Sequence, residues 1–212
     1  MAALPGPMLG SFDSFEDALL ASCRKIIQKP NATAGRKDHQ DFWTRWRVST
    51  EYCAWIYYTP DDKYEVSRLT DQSEIDPADR SRTCLLPSRV EDRRYPPDSI
   101  KYICSLHNHL FDDALSRRDI GFIVSQGLRH GFESTTADGV RALSIVAFFS
   151  NNVEVPTCDG FHQYVPASGK LFKYTNKEGK WSCEQTGIVT WEDETNFSIE
   201  KESLPCPGQG VP

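Results

Sequence analysis

The chain has 212 residues, of which 39% are apolar and 11% aromatic, and its 24 basic and 30 acidic side chains give a formal net charge of -6. This length and apolar content suit one globular domain with a buried core and leave little room for a second. No apolar run approaches membrane-spanning length, residues 1–10 lack the basic start and apolar stretch of a secretory signal, and the acidic balance argues against a dedicated nucleic-acid binder. The chain is therefore expected to be soluble, with no membrane partner.

Residues 1–10 read as a flexible N-terminus. Ser14 and Asp17 form an N-cap and its return partner, and they predict a helix to Ile27 with Phe15, Leu19, Ser22 and Ile26 on one side; Pro30 and Gly35 end it. Trp43 to Val48 and Tyr52 to Tyr58 are aromatic and β-prone. Pro60-Asp61-Asp62 supplies a turn and Lys63 to Leu69 alternates, so a β-hairpin is expected. From Asp71 to Asp98 the chain is charged and proline-punctuated, which suggests an irregular insertion; its arginines between Arg80 and Arg94 read as a solvated loop.

Ile100 to Leu106 reads as a buried strand, and Ser116 to Leu128 as a helix with Ile120, Ile123, Val124 and Leu128 on its apolar side. Leu143 to Phe149 is a further buried strand, and Phe161 to Val165 with Lys170 to Tyr174 flank Pro166-Ala167-Ser168-Gly169 as a second hairpin. Residues 192–212 form a polar tail that is expected to fray. Helices and strands interleave, which predicts an α/β fold with a mixed sheet flanked by helices, in one domain over residues 11–191.

Seven cysteines, Cys23, Cys53, Cys84, Cys104, Cys158, Cys183 and Cys206, are odd in number and widely scattered, with no Cys-x-x-Cys pair. A disulfide framework is not the expectation, and Cys53 and Cys104 read as small core residues. The Asn-x-Ser/Thr sequons at Asn31 and Asn196 carry no weight without a secretory signal.

The chemically loaded stretch runs from His107-Asn108-His109 to Ser116-Arg117-Arg118-Asp119. Two imidazoles two residues apart on an extended segment point to one face, and a carboxylate from the next helix closes a three-ligand zinc site with an open fourth position. Such a site needs a glutamate outside the ligand set as proton acceptor, and spacing alone does not say which. Ser116 and Asp119 also make an ordinary helix start, with the carboxylate in the first turn. His39, His130 and His162 are read as a loop residue, a residue near a helix C-terminus and a strand residue; Trp43, Trp46 and Trp55 are read as core.

These residues resemble the signature of JAMM/MPN-type (JAB) zinc metallopeptidases, and the Asn between the histidines is similar to the RadC-type branch. Glu51, in Thr50-Glu51-Tyr52-Cys53-Ala54-Trp55-Ile56-Tyr57-Tyr58, resembles the upstream glutamate of a JAB-like domain found at the C-termini of bacterial polymorphic toxins. The likeness extends over roughly residues 11–174. It implies the deaminase-like α/β architecture of JAB domains, Zn2+ held by His107, His109 and Asp119, Glu51 as general base, and Ser116 as donor to the developing oxyanion. The implied substrate is a peptide or isopeptide amide. A toxin module would be delivered into a target cell and imply a cognate immunity protein; otherwise the chain would be cytoplasmic. The sequence departs from the pattern in three places: the gap from His109 to Ser116 is one residue short, Leu110 stands where a proline is usual, and Cys53-Ala54 replace two glycines. The short gap leaves Asp112 or Asp113 as substitutes for Asp119. Two alternatives remain: a metal-free scaffold of the same fold, and a DNA-processing protein suggested by Asn108 and the arginine-containing loop. An HNH nuclease is disfavoured, because no further downstream histidine fits its ββα-metal arrangement.

Overall fold

Cys53–Tyr58 holds six consecutive buried residues, the pattern of a strand covered on both faces. The computed structural model, which describes residues 3–76 and 81–206, places it inside a nine-stranded sheet. In chain order the first elements are β1 (Leu4–Pro5), β2 (Leu9–Phe12), α1 (Phe15–Ile27), α2 (Phe42–Val48), β3 (Cys53–Tyr58), β4 (Tyr64–Val66), β5 (Ser73–Asp76), β6 (Ser81–Cys84) and β7 (Val90–Glu91). They are followed by β8 (Lys101–Asn108), α3 (Arg117–His130), β9 (Glu133–Thr136), β10 (Gly139–Ala142), β11 (Ser144–Phe149), β12 (Gly160–Val165), β13 (Lys170–Lys177), β14 (Lys180–Trp191) and β15 (Phe197–Pro205).

The large sheet has the order β15-β14-β13-β12-β11-β8-β3-β4-β2. Its described neighbours are antiparallel except β8 and β11. A parallel pair needs a crossover, and here α3 with the β9–β10 hairpin supplies it. Side chains alternate across the pleat, so each strand feeds two cores. Ala54, Ile56, Leu106, Val146 and Phe148 pack with Leu19, Cys23 and Ile26 of α1, while Trp55, Tyr57, Ile145 and Ala147 pack with Ile120 and Ile123 of α3. The fold is mixed α/β, with one large mixed sheet between helices.

α1 starts as its sequence predicts: the Ser14 hydroxyl accepts from the Asp17 N–H at 3.1 Å. The β3–β4 hairpin and the β12–β13 hairpin also form, with Asp62 and Gly169 at the positive φ their turns require. Trp43 to Val48, expected as a strand, is helical instead: Phe42 is buried with Trp46 one turn on, and both pack beside Phe111. The expected apolar face of α3 holds for Ile120, Ile123 and the partly buried Val124 and is corrected at Leu128. Leu128 is 78% exposed, whereas Gly127 is buried against the Phe132 ring, which lies where a Cβ at Gly127 would sit.

Three segments expected to be irregular take part in sheets. Within residues 1–10, β1 pairs with β7 and β2 reaches the edge of the large sheet. Within the 71–98 insertion, β5 and β6 form an antiparallel pair; Pro77 to Arg80 lie outside the described residues. Within 192–212, β15 pairs along β14, although of its nine residues only Phe197 is buried. Backbone pairing rather than an apolar stripe holds that strand, so hydropathy does not reveal it.

The cysteines do form a framework. Cys23 bonds to Cys158, Cys53 to Cys84 and Cys183 to Cys206, and Cys104 alone is a free, buried thiol. Cys53 and Cys104 are both the core residues expected, and Cys53 in addition ties β3 to the β5–β6 hairpin. Each such bond stabilises a fold by about 2–4 kcal/mol. Among the described residues no helix is long and apolar enough to cross a membrane.

Candidate metal centre

β8 ends at Asn108, between the two histidines, and α3 begins eight residues after His109, so the motif sits at a strand-to-helix junction. Alternation sends Leu106 and Asn108 to the α1 side and His107 to the α3 side. The fully buried Asn108 has a specific task. Its Oδ1 accepts from the Tyr52 N–H at 2.7 Å, and its Nδ2 donates to the carbonyls of Thr50 at 3.1 Å and Ala32 at 2.6 Å. It thereby grips the backbone on both sides of Glu51 and fixes where that carboxyl stands.

His107 and His109 have ring centroids 4.9 Å apart. The His109 Nδ1–H donates to the Asp113 carbonyl at 2.8 Å, which turns its Nε2 toward Asp119. His107 Nε2 lies 3.6 Å from Asp119 Oδ1, and His109 Nε2 lies 3.7 Å from Oδ2. These gaps are too long for hydrogen bonds. They are close to the ~3.3 Å that separates two ligand atoms held about 2.0 Å from a tetrahedral zinc. One ligand atom from each of His107, His109 and Asp119 lies within 4.8 Å of the others. His107 Nε2 is buried with no hydrogen-bond partner at all. A buried nitrogen facing a carboxylate at non-bonding distance fits a bound cation.

Asp119 is set by a capping box. The Ser116 hydroxyl accepts from the Asp119 N–H at 3.2 Å, and Asp119 Oδ2 accepts from the Ser116 N–H at 2.8 Å and its hydroxyl at 2.7 Å. The Ser116 proton is thus committed to Asp119 rather than to the pocket, and donation to a substrate oxygen requires that bond to be exchanged. Neither substitute carboxylate takes the place of Asp119. Asp113 offers His109 its backbone carbonyl, and Asp112, expected as a solvated loop residue, binds His162 and Lys173.

Charge within the cluster is strongly polarised. Burial would raise the Asp119 carboxyl, but the two histidines and Ser116 hold it well below the usual carboxylate range. Burial pushes His107 down to about 4. For His109 burial acts the same way, but Asp119, with Glu51 when that carboxyl is ionised, outweighs it and lifts the ring to about 9. Glu51, 6% exposed, is pushed up to about 8 by burial, against the opposing effects of His109, the Cys84 N–H and Arg82. Without metal, the centre holds neutral His107, protonated Glu51 and a His109–Asp119 charge pair.

Glu51, His109, Ser116 and Asp119 line a pocket of about 150 Å3 that is walled by Trp46, Arg82 and Phe111, with His107 behind it. All five residues expected from the sequence therefore converge. Concavities of about 330–440 Å3 lie elsewhere on the surface, but among the described residues they hold no comparable ligand cluster. Nothing in their sequence context marks Arg82, Trp46 or Phe111 as walls of this pocket. Arg82 stacks over Trp46 and donates to the Arg47 carbonyl at 2.8 Å, joining the insertion to α2. Of the tryptophans read as core, Trp55 is fully buried, while Trp43 is 47% exposed. No family model matches the chain, and no curated protein or solved structure matches it.

Proposed function

We propose that the chain is a zinc-dependent hydrolase of peptide or isopeptide amide bonds, built on a JAB-like architecture. The observation that carries this reading is the buried, unpartnered His107 Nε2 facing Asp119 beside His109. His107, His109 and Asp119 would hold the ion, and bound zinc supplies a water of near-neutral pKa and polarises a carbonyl. Glu51 then acts as the base: its carboxylate takes a proton from the attacking water and returns it to the leaving amine. A carboxyl near pKa 8 is basic enough for that exchange, and a cationic centre beside it favours its ionised form. Ser116 holds Asp119 in place and is the hydroxyl nearest the pocket for an oxyanion. Trp46 and Phe111 exclude water from one side.

The three disulfides fit a chain that passes through an oxidising compartment, which favours a delivered effector over a resident of the reducing cytoplasm. A cognate immunity protein is the partner such a module implies. A metal-free scaffold has one observation in its favour: the His109–Asp119 charge pair leaves the cluster neutral without an ion. The DNA-processing alternative gains nothing from Asn108, whose side chain is engaged by Tyr52, Thr50 and Ala32, and rests on the arginine-containing loop alone.

The deciding experiment is elemental analysis of protein purified without chelator. About one zinc per chain, absent after His107→Ala with His109→Ala, supports the hydrolase and justifies a search for cleaved proteins with Glu51→Gln as the inactive control. No zinc, and none taken up when it is added, selects the scaffold.

A further inference from the structure

Across the middle of the sheet, five residues are consecutive register partners: Cys53, His107, Ala147, His162 and Lys173. Partners in register share a face, so His162 and Lys173 stand in the same row as the candidate ligand His107. Only the methyl of Ala147 separates the two imidazoles along that row. The loop between β8 and α3 comes down onto it. Asp112 Oδ1 accepts from His162 Nε2 at 2.8 Å, and Oδ2 accepts from Lys173 Nζ at 2.6 Å. One residue later, the Asp113 carbonyl accepts from His109 Nδ1.

We infer that Asp112, His162 and Lys173 form a clamp that positions the metal ligand His109 through the Asp113 carbonyl. An imidazole binds metal through one nitrogen, and a donor bond from the other fixes which nitrogen is free and where the ring points. In this chain the acceptor for that bond is a backbone carbonyl on a loop without regular structure. Left to itself such a carbonyl moves with its loop. The carboxylate next to it is seated on two strands of the sheet at once, through a lysine and a histidine that is 8% exposed. The position of the His109 ring is thereby referred to the same sheet that carries His107. Both expected ligands of β8 and its extension share one rigid frame, even though His109 lies past the end of the strand. His162 and Lys173 are positioning residues and touch no substrate.

This inference rests on the zinc reading, and its test separates the two. Zinc affinity by chelator competition and the visible spectrum of the cobalt-substituted protein are compared for wild type, Asp112→Ala, Asp112→Asn, Lys173→Ala and Lys173→Arg. Asp112→Ala should weaken zinc about 10- to 100-fold, the usual effect of removing a partner that orients a ligand, and should shift the cobalt bands. Lys173→Arg should stay close to wild type. A wild-type affinity and unchanged spectrum in Asp112→Ala would overturn the clamp. If Asp112→Ala does not fold, Asp112→Asn and Lys173→Ala give the same reading. If wild type binds no metal, the zinc reading falls, and proton NMR decides the clamp alone. The His109 Nδ1 proton, sheltered by the Asp113 carbonyl, should be observable in wild type and lost to solvent exchange in Asp112→Ala; persistence in the variant would sink the clamp.

Discussion

The two faces of the sheet are built from the same strands to opposite ends. On the α1 face, Leu106, Val146 and Phe148 are fully buried among apolar neighbours, and the one polar intruder from β8, Asn108, has every donor and acceptor engaged. On the α3 face, one residue out of phase, His107 is buried with an idle nitrogen, Glu51 holds a proton at neutral pH, and Asp119 stays ionised in spite of burial. A buried polar group left without a partner costs about 1–3 kcal/mol; among the described residues His107 Nε2 on the α3 face is such a group, whereas Asn108 on the α1 face is not. Residues adjacent in the chain are thus under different demands: close packing on one side, a cluster of ionisable groups on the other.

Substitution of His107 with His109 by alanine should abolish stoichiometric zinc, whereas Leu106→Ala should leave zinc bound; elemental analysis of the two variants draws the line between the faces. Next in size is a pH effect in the metal-free protein. The Glu51 carboxyl is raised to about 8 in the fold from an ordinary value of 4.5, so between those values the folded state keeps a proton that the unfolded chain releases. Stability contributed by that proton is complete below about pH 4.5 and is lost as pH rises toward 8. Urea melts across this window should show wild type losing on the order of 4 kcal/mol relative to Glu51→Gln. A constant difference between the two would show that the carboxyl is not desolvated as described.

Leu106→Ala should lower the unfolding free energy by about 2–5 kcal/mol, the cost of a cavity in a close-packed core. Its neighbour should respond with the opposite sign. In metal-free protein His107→Leu replaces a buried, unpartnered nitrogen by apolar atoms and should raise stability by about 1–3 kcal/mol. If both variants are destabilised alike under denaturant, the two faces do not differ in the way proposed. Smallest is a proton count: zinc binding should displace the His109 proton, seen by calorimetry as a heat that depends on the ionisation enthalpy of the buffer near pH 7.

The centre was legible because its signals are local. A His-x-His at a strand end and a Ser-x-x-Asp helix start each follow short-range rules, and the expected β8, α3 and capping box all form. Glu51 came only with the family resemblance, since its distance in sequence from the histidines hides the Asn108 grip that brings it near. The clamp was invisible for the same reason: Asp112 lies 50 residues from His162 and 61 from Lys173. α2 was misread because aromatic residues favour strands on average, while here Phe42 and Trp46 meet Phe111 one helical turn apart. The cysteine pairing escaped because separations of 23, 31 and 135 residues make no spacing pattern. β15 escaped because hydrogen bonds to β14, which any sequence can make, hold a strand that buries almost nothing.

Gly127 sits eight residues beyond Asp119 on α3, about 12 Å along the helix axis. With the Phe132 ring lying where its Cβ would be, the helix is seated against a stop at its far end. A Cβ leaves a helix sideways, so Gly127→Ala, touching no residue of the centre, should push this end of α3 away from the ring and tilt the rod that carries Asp119. The geometry of the candidate centre thus depends in part on how closely a bare backbone can approach a phenyl ring at the opposite end of the helix.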